Sequence, residues 1–410
     1  MKILIVTQYY FPEQFQINEI APELVRRGHD VTVLCGLPNY PKGEPFQGYK
    51  SLEECREREK EYLEKTGLKV VHVSQTLRGH NLWALVRNYI SFVRNSKKKV
   101  RELDKDFDVV LGYQMSPITS MTAAMEYKKL TGVPVMYYTL DIWPESILGI
   151  LKSKNNPLFG IIDRISRKTY QAADRILVTS RPFIDYLMRM HDIESDRLGY
   201  LPQHAGTEML NLNLSAEDNG IADFMFAGNL GKGQWLEVIV KAAAVLGARK
   251  DYLVHIVGDG SMRVELEAMV KEKGLAGNFI FYGNQKRELM PEFYCKADAL
   301  LITLRGNNEV GNTMPGKLQM YMTTGKPIFG AINGAANEII REVRCGSCVK
   351  AGDYDGLARL MKSYIERPGD YRYCGENARR YFRENFTLER FADGLEKELK
   401  ALITESNNNK

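Results

Sequence analysis

Short apolar strands alternate with longer helical stretches through this chain, break off near its middle and begin again, and that restart limits the folds open to it. Lys2–Thr7 reads as a strand, Asn18–Arg27 as a helix that stops at Gly28, and Asp30–Leu34 as the next strand. Strands joined in this way run parallel, because only a crossover of about a dozen residues brings the chain back in the same direction. Further strands are expected at Lys69–Val73, Asp108–Leu111, Pro134–Tyr138 and Arg175–Val178. The second series holds strands at Asp223–Ala227, Leu253–Val257, Phe279–Tyr282, Ala299–Ile302 and Pro327–Phe329, with helices from Gln234 to Leu246 and over Met262–Lys273. Each series predicts a parallel sheet covered on both faces. The expectation is an α/β protein of two Rossmann-like, doubly wound domains facing a cleft. At 410 residues the chain exceeds the roughly 250–300 residues that one core supports, which agrees. The predicted boundaries are 1–203, 204–385 and a C-terminal helix and tail at 386–410, with a hinge near Tyr200–Ala205.

Composition excludes more than it assigns. With 44% hydrophobic and 26% charged residues the chain is an ordinary globular protein, and a net charge of +5 suits phosphate-bearing partners. No nucleic-acid partner is expected. No apolar run approaches the roughly eighteen residues of a membrane span, and the opening residues lack the pattern of a signal peptide. The six cysteines are scattered as reduced thiols would be, pointing to the cytoplasm. Cys345 and Cys348 form the one close pair, without the second pair that a structural zinc site needs, and no metal is expected. The histidines have no partners at metal-ligand or triad spacing. Neither half carries GxGxxG after its first strand, which argues against a dinucleotide-dependent dehydrogenase.

Three segments of the second half have the chemistry of a phosphate cradle. Gly228-Asn-Leu-Gly-Lys-Gly233 links a strand to a helix, so backbone N–H groups, Asn229 and Lys232 can face an anion. It lacks Walker A spacing and a following Ser or Thr for magnesium, which argues against nucleotide hydrolysis. Val257-Gly-Asp-Gly-Ser261 places Gly258 in a tight turn after the next strand. Thr313-Met-Pro-Gly-Lys-Leu318 precedes a helix, putting Thr313, Met314 and Lys317 at a helix start. Asn284, beyond the strand Phe279–Tyr282, joins the same predicted group.

In the first half, Gln8-Tyr-Tyr-Phe-Pro-Glu13, Gly36-Leu-Pro-Asn-Tyr-Pro-Lys-Gly43 and Asp141-Ile-Trp-Pro-Glu-Ser146 follow strands. The proline after Trp143 disfavours helix there and predicts an exposed loop at the cleft edge. Glu13, Asn18, Tyr113, Trp143 and Glu145 are the candidates for contact with an acceptor. A structural alternative has Glu145 capping the next helix and Trp143 packing.

These segments, in this order, resemble the family 4 glycosyltransferases, retaining enzymes of GT-B fold. The parallels are Phe226-Ala-Gly228 with Lys232-Gly233, Val257-Gly-Asp-Gly260, Ala297-Asp298 and Met322-Thr-Thr-Gly325-Lys-Pro327. The first half is similar to a bacterial subgroup that builds O-antigen, capsule and colanic acid repeat units, fucosamine transferases included. The resemblance covers about residues 1 to 390. It implies transfer of a hexose, N-acetylamino or deoxy in type, from a nucleotide diphosphate sugar, with UDP the expected nucleotide. The implied acceptor is an undecaprenyl-diphosphate-linked saccharide. It also implies front-face substitution with no metal cofactor, and a C-terminal helix that crosses back to the first domain.

The chain departs from the family at the sites of catalysis. An E-x7-E pair frames the family's phosphate loop, and counting back from Gly325 puts Asn312 and Met320 there. Met320 is a poor acceptor of hydrogen bonds. Glu309 is the nearest other acid. Where many members carry a histidine that meets the sugar, this chain has Leu140 followed by Asp141, so Asp141 and Glu309 are the catalytic candidates. Two alternatives stay open: a sugar-nucleotide epimerase or hydrolase of the same fold, which would turn over donor without acceptor, and a catalytically silent subunit that binds nucleotide sugar.

Asn81–Leu103 combines Leu82, Trp83, Leu85, Val86, Tyr89, Ile90, Phe92 and Val93 with a basic end. Such a helix can rest on the anionic inner face of the cell membrane or bury its apolar residues in a core. The sequence leaves both readings standing.

Overall fold

The computed structural model describes residues 1–79, 81–216, 219–306 and 314–408, apart from the side chain of Leu82. The chain divides into two compact units, Met1–Pro202 with Leu388–Lys410, and Gln203–Thr387.

The first unit is built on a seven-stranded sheet. Its strands are β1 (Lys2–Val6), β2 (Asp30–Gly36), β3 (Lys69–Val73), β4 (Val109–Gln114), β5 (Val135–Thr139), β6 (Arg175–Val178) and β7 (Leu198–Tyr200). Every pairing is parallel, in the order β3-β2-β1-β4-β5-β6-β7. The strands are mostly apolar because both faces of the sheet are covered. Along β1, Leu4 and Val6 join a core with Phe92, Tyr127 and Tyr170, while Ile3 and Ile5 join another with Leu24, Leu395 and Leu399.

The helix Leu388–Asn408 supplies Phe391, Leu395, Leu399 and Leu402 to that second core, at helical spacing. Arg27 reinforces the seam with salt bridges to Asp393 at 2.7 Å and Glu396 at 3.2 Å. The expected return of the C-terminal helix to the first domain is thus explained by its apolar stripe.

The second unit holds a six-stranded parallel sheet, ordered β10-β9-β8-β11-β12-β13. Its strands are β8 (Ala222–Ala227), β9 (Tyr252–Val257), β10 (Phe279–Gly283), β11 (Ala299–Thr303), β12 (Ile328–Ala331) and β13 (Gly346–Val349). β8 again divides its side chains, Phe224 and Phe226 to one core and Met225 and Ala227 to the other.

Two strands escaped the sequence reading, β7 and β13. Both are short edge strands, and β13 opens on Gly346, where a β-carbon would fall 1.8 Å from the Ile328 carbonyl oxygen. The single helix expected from Gln234 to Leu246 is instead a 3-10 turn at Lys232–Gln234 followed by a helix at Glu237–Leu246. The break falls at Trp235, which is left-handed with φ 53°. Among the described residues no helix is long and apolar enough to cross a membrane.

Candidate active site

In the second unit the groups able to meet an anion gather where the strand order reverses. β8 and β11 are neighbours whose next strands lie on opposite sides, and open parallel sheets bind ligands beyond the strand ends at such a point. The turn after β8 is laced to the turn after β9. Gly228 N–H donates to the Val257 carbonyl, Leu230 N–H to that of Asp259, and Met262 N–H to that of Leu230, each at 2.9 Å. No side chain fits where they cross. A β-carbon on Gly258, at φ +133°, would lie 1.9 Å from the Gly228 carbonyl oxygen.

The helix Gly316–Thr324 is pinned to the end of β8 by Tyr321, whose hydroxyl accepts from Ala227 N–H at 2.8 Å. One turn earlier on that helix, Lys317 passes beside Gly228, where a β-carbon would stand 3.0 Å from its Cε and 3.1 Å from its Nζ. Nζ donates to Gln234 Oε1 at 2.8 Å and lies 3.4 Å from the centre of the Phe226 ring. Both partners are uncharged, and no carboxylate pairs with the ammonium among the described residues. Loss of water pulls its pKa down to about 7. Lys326 is a useful contrast. Burial lowers its pKa too, to about 8, but it donates to the Ala297 carbonyl and has Asp298 in its field.

Around Lys317, the helix Gly316–Thr324 has no side-chain cap, leaving amide dipoles at its start. Asn229, Lys232 and Asn284 are exposed. Met314 and Met320 are partly buried against the core, so Met320 is a packing residue in the structure as its chemistry required. Glu309, Asn312 and Thr313 lie outside the described residues.

The first unit corrects the sequence reading. The segment Asp141–Ser146 is not an exposed rim. Trp143 is 6% exposed and Glu145 3% exposed. Trp143 Nε1 donates to Ser116 Oγ at 3.0 Å, and its carbonyl is 2.9 Å from His191 Nε2. Glu145 Oε1 accepts from Lys154 Nζ at 2.7 Å and from the Tyr186 hydroxyl at 3.2 Å. Tyr113 is also buried, against Tyr138. These three side chains pack inside the scaffold and are not exposed at a rim.

Glu13 is buried as well. Its carboxylate accepts N–H groups of Tyr10 at 3.1 Å, Asn39 at 2.8 Å and Tyr40 at 2.7 Å, tying the loop after β1 to the loop after β2. Desolvation raises its pKa to about 7 against the pull of those three bonds. Asn18 Nδ2 donates to the Glu13 carbonyl, closing the same loop. Asp141 is only partly buried. Its Oδ2 accepts from Ser116 N–H at 3.0 Å and Ser116 Oγ at 2.8 Å, and Oδ1 has no partner among the described residues.

Sequence reasoning missed Gln234 and Phe226, the neutral partners of Lys317, and it missed Arg78. The Arg78 guanidinium donates through Nη1 to Tyr9 Oη at 2.9 Å and Tyr89 Oη at 3.5 Å, and stacks on Tyr40 at 5.2 Å. One signal was present. Gly36–Gly43 ends on a glycine at φ +77°, where a β-carbon would fall 1.7 Å from the Arg78 carbonyl oxygen.

Two doubly wound parallel sheets, the second with a buried ammonium beneath a glycine turn at its switch point, are the architecture of the GT-B fold. Residues 15–203 match the model described as Glycosyltransferase Family 4, and residues 214–381 match that described as Glycosyl transferases group 1. Together they account for most of the chain, which belongs to this two-domain glycosyltransferase family. WcaI of Escherichia coli strain K12, described as a glycosyl transferase of colanic acid biosynthesis, is 24% identical over 347 residues, 79% of this chain and 82% of the relative. Anabaena Alr3699/HepE, solved with UDP, superposes with a TM-score of 0.70 at 14% identity, covering 98% of this chain and 100% of that one. The lipopolysaccharide outer core galactosyltransferase WaaB gives a TM-score of 0.67 at 14% identity, covering 98% and 99%.

Proposed function

We propose that this enzyme transfers a hexosyl group, N-acetylamino or deoxy in type, from a UDP-linked sugar to a lipid-linked saccharide in surface polysaccharide synthesis, with retention and without a metal cofactor. The observation that carries the donor side is Lys317, an ammonium withdrawn from water whose partners among the described residues are neutral. A buried cation without an acid is costly unless an anion arrives. A nucleotide diphosphate supplies that anion, and the adjoining amides of the Gly228–Gly233 turn and of the helix Gly316–Thr324 supply further donors.

As the glycosidic bond breaks, negative charge grows on the leaving diphosphate. Lys317, Lys232 and these amides stabilise it, which is the main electrostatic demand of the reaction. The leaving phosphate oxygen takes the acceptor proton on the same face. Asp141, with Oδ1 unengaged, and Glu309 are the acids proposed to meet the transferred sugar or the acceptor hydroxyl.

The acceptor side draws on the helix Leu82–Val100. Its exposed residues include Trp83 (77%) and Ile90 (61%) alongside Arg87, Arg94 and Lys98, with no exposed acid among them. Apolar and cationic side chains on one face suit an anionic lipid surface. Such a surface fits an enzyme that works in the cytoplasm on the inner face of the membrane. The relatives' link to colanic acid and lipopolysaccharide supports this setting.

Thermal shift with UDP, GDP, TDP and CMP tests the reading. UDP is expected to stabilise most, and Lys317→Met to remove the shift. Absence of a shift with every nucleotide sinks it. Activity unchanged by EDTA is the expected result for the metal.

A further inference from the structure

We infer that Arg78 and its tyrosine cage form the subsite for the diphosphate group of a prenyl-linked acceptor. This rests on the lipid-linked acceptor proposed above. The guanidinium is half-buried, and its polar partners are phenols, Tyr9 and Tyr89, with the Tyr40 ring stacked on its face. Among the described residues only Nη1 is engaged. Nε and Nη2 have no partner among the described residues, and no carboxylate pairs with the group. Glu13, an acid that feels its field, spends its oxygens on three backbone N–H groups.

Phenols hold a guanidinium in place without neutralising it. The planar fork of nitrogens left over matches the oxygens of a phosphate or diphosphate, where arginine outperforms a point charge. The backbone fixes the position too. Arg78 N–H donates to Asn39 Oδ1 at 2.9 Å, and Gly43 admits the Arg78 carbonyl where any side chain would collide.

Location identifies which diphosphate. Tyr89 belongs to the helix Leu82–Val100, so Arg78 sits beside the first turns of the helix that exposes Trp83, Arg87 and Ile90. A polyprenyl diphosphate carries its charge at the membrane surface, at the end of an apolar chain. An anion-reading fork beside an apolar, cationic helix face meets both parts of such a molecule. The donor's diphosphate is assigned to Lys317, in the other unit.

Titration calorimetry on the full chain with farnesyl diphosphate, inorganic pyrophosphate and UDP separates the sources. Wild type is expected to bind farnesyl diphosphate at least tenfold more tightly than pyrophosphate. Arg78→Gln should weaken farnesyl diphosphate tenfold or more and leave UDP unchanged, and Arg78→Lys should fall between. Unchanged UDP binding also certifies that the variants fold. The inference is overturned if Arg78→Gln binds farnesyl diphosphate as wild type does, if wild type binds UDP but not farnesyl diphosphate, or if pyrophosphate binds equally well. Arg78-dependent binding of farnesyl diphosphate in a protein that ignores UDP would instead remove the proposed donor and keep this subsite.

Discussion

The carboxyl ends of the two sheets use polar residues in opposite ways. Beyond β1 and β5 of the first unit, the acids are held by the protein itself: Glu13 by three backbone amides, Glu145 by Lys154 and Tyr186, and Asp141 through one of its two oxygens by Ser116. Beyond β8 and β11 of the second, the partners of Lys317 among the described residues are an amide oxygen and an aromatic ring. Satisfied polar groups rigidify a loop, whereas an unsatisfied buried charge stores free energy for a ligand to release. The first arrangement builds a frame, and the second holds a buried charge without a counterion among the described residues.

Lys317→Met breaks the contrast most severely. It is expected to weaken UDP by a hundredfold or more, about 2.7 kcal/mol, and to stabilise the ligand-free protein. The sign follows from the folded pKa near 7, below the unfolded value for lysine. The charged lysine therefore opposes folding fully below pH 7, and the penalty is relieved as pH climbs above it. At pH 6 the variant should gain about 2 kcal/mol in urea unfolding. A variant that loses both UDP and stability would mark Lys317 as structural.

Glu145→Ala tests the opposite region. Removing a buried carboxylate and leaving the Tyr186 hydroxyl without its partner is expected to cost about 2–4 kcal/mol of stability, with the UDP affinity and the acceptor KM unchanged. An acceptor KM that rises at unaltered stability would return Glu145 to the acceptor surface.

Why the sequence revealed one region and misjudged the other is a matter of what each motif encodes. Strand positions were legible because both faces of each sheet are covered, making Ile3–Val6 of β1 and Phe224–Ala227 of β8 continuous apolar runs. The glycines at 228 and 258 were legible as close approaches, since only missing side chains let two turns cross. Asp141-Ile-Trp-Pro-Glu-Ser146 carries the same kinds of residue as a binding loop, and composition does not report which way a side chain points. Trp143 and Glu145 turn inward because Ser116, Tyr186 and His191, distant in sequence, offer them partners. Arg78 was illegible for the same reason: its meaning lies in Tyr9, Tyr40 and Tyr89, which the fold alone assembles.

The pH dependence sharpens the comparison at smaller amplitude. If the anion binds the charged lysine, UDP affinity should fall about tenfold per pH unit above the folded pKa, because each unit lowers the charged fraction tenfold. Titrations from pH 7.5 to 9 measure it. Lys317→Arg keeps its charge across this range and should flatten the profile, even at reduced affinity. A wild-type profile as flat as the arginine variant's would show that the ammonium is already charged in the free protein.

Lys232 gives the smallest effect, although the glycine-rich turn first drew attention to it. It is exposed, and among the described residues no side chain bonds to it. An exposed lysine meeting a phosphate is worth roughly 0.2–1 kcal/mol and is screened by salt. Lys232→Ala should therefore weaken UDP only about two- to fivefold at low ionic strength, and the difference should vanish near 0.5 M salt, where the Debye length falls to a few Å. A loss as large as that of Lys317→Met, persisting in salt, would mean that the turn closes over the bound diphosphate and buries Lys232 too. The two lysines would then act as one desolvated pair, and the second unit would owe its affinity to a turn that reorders on binding.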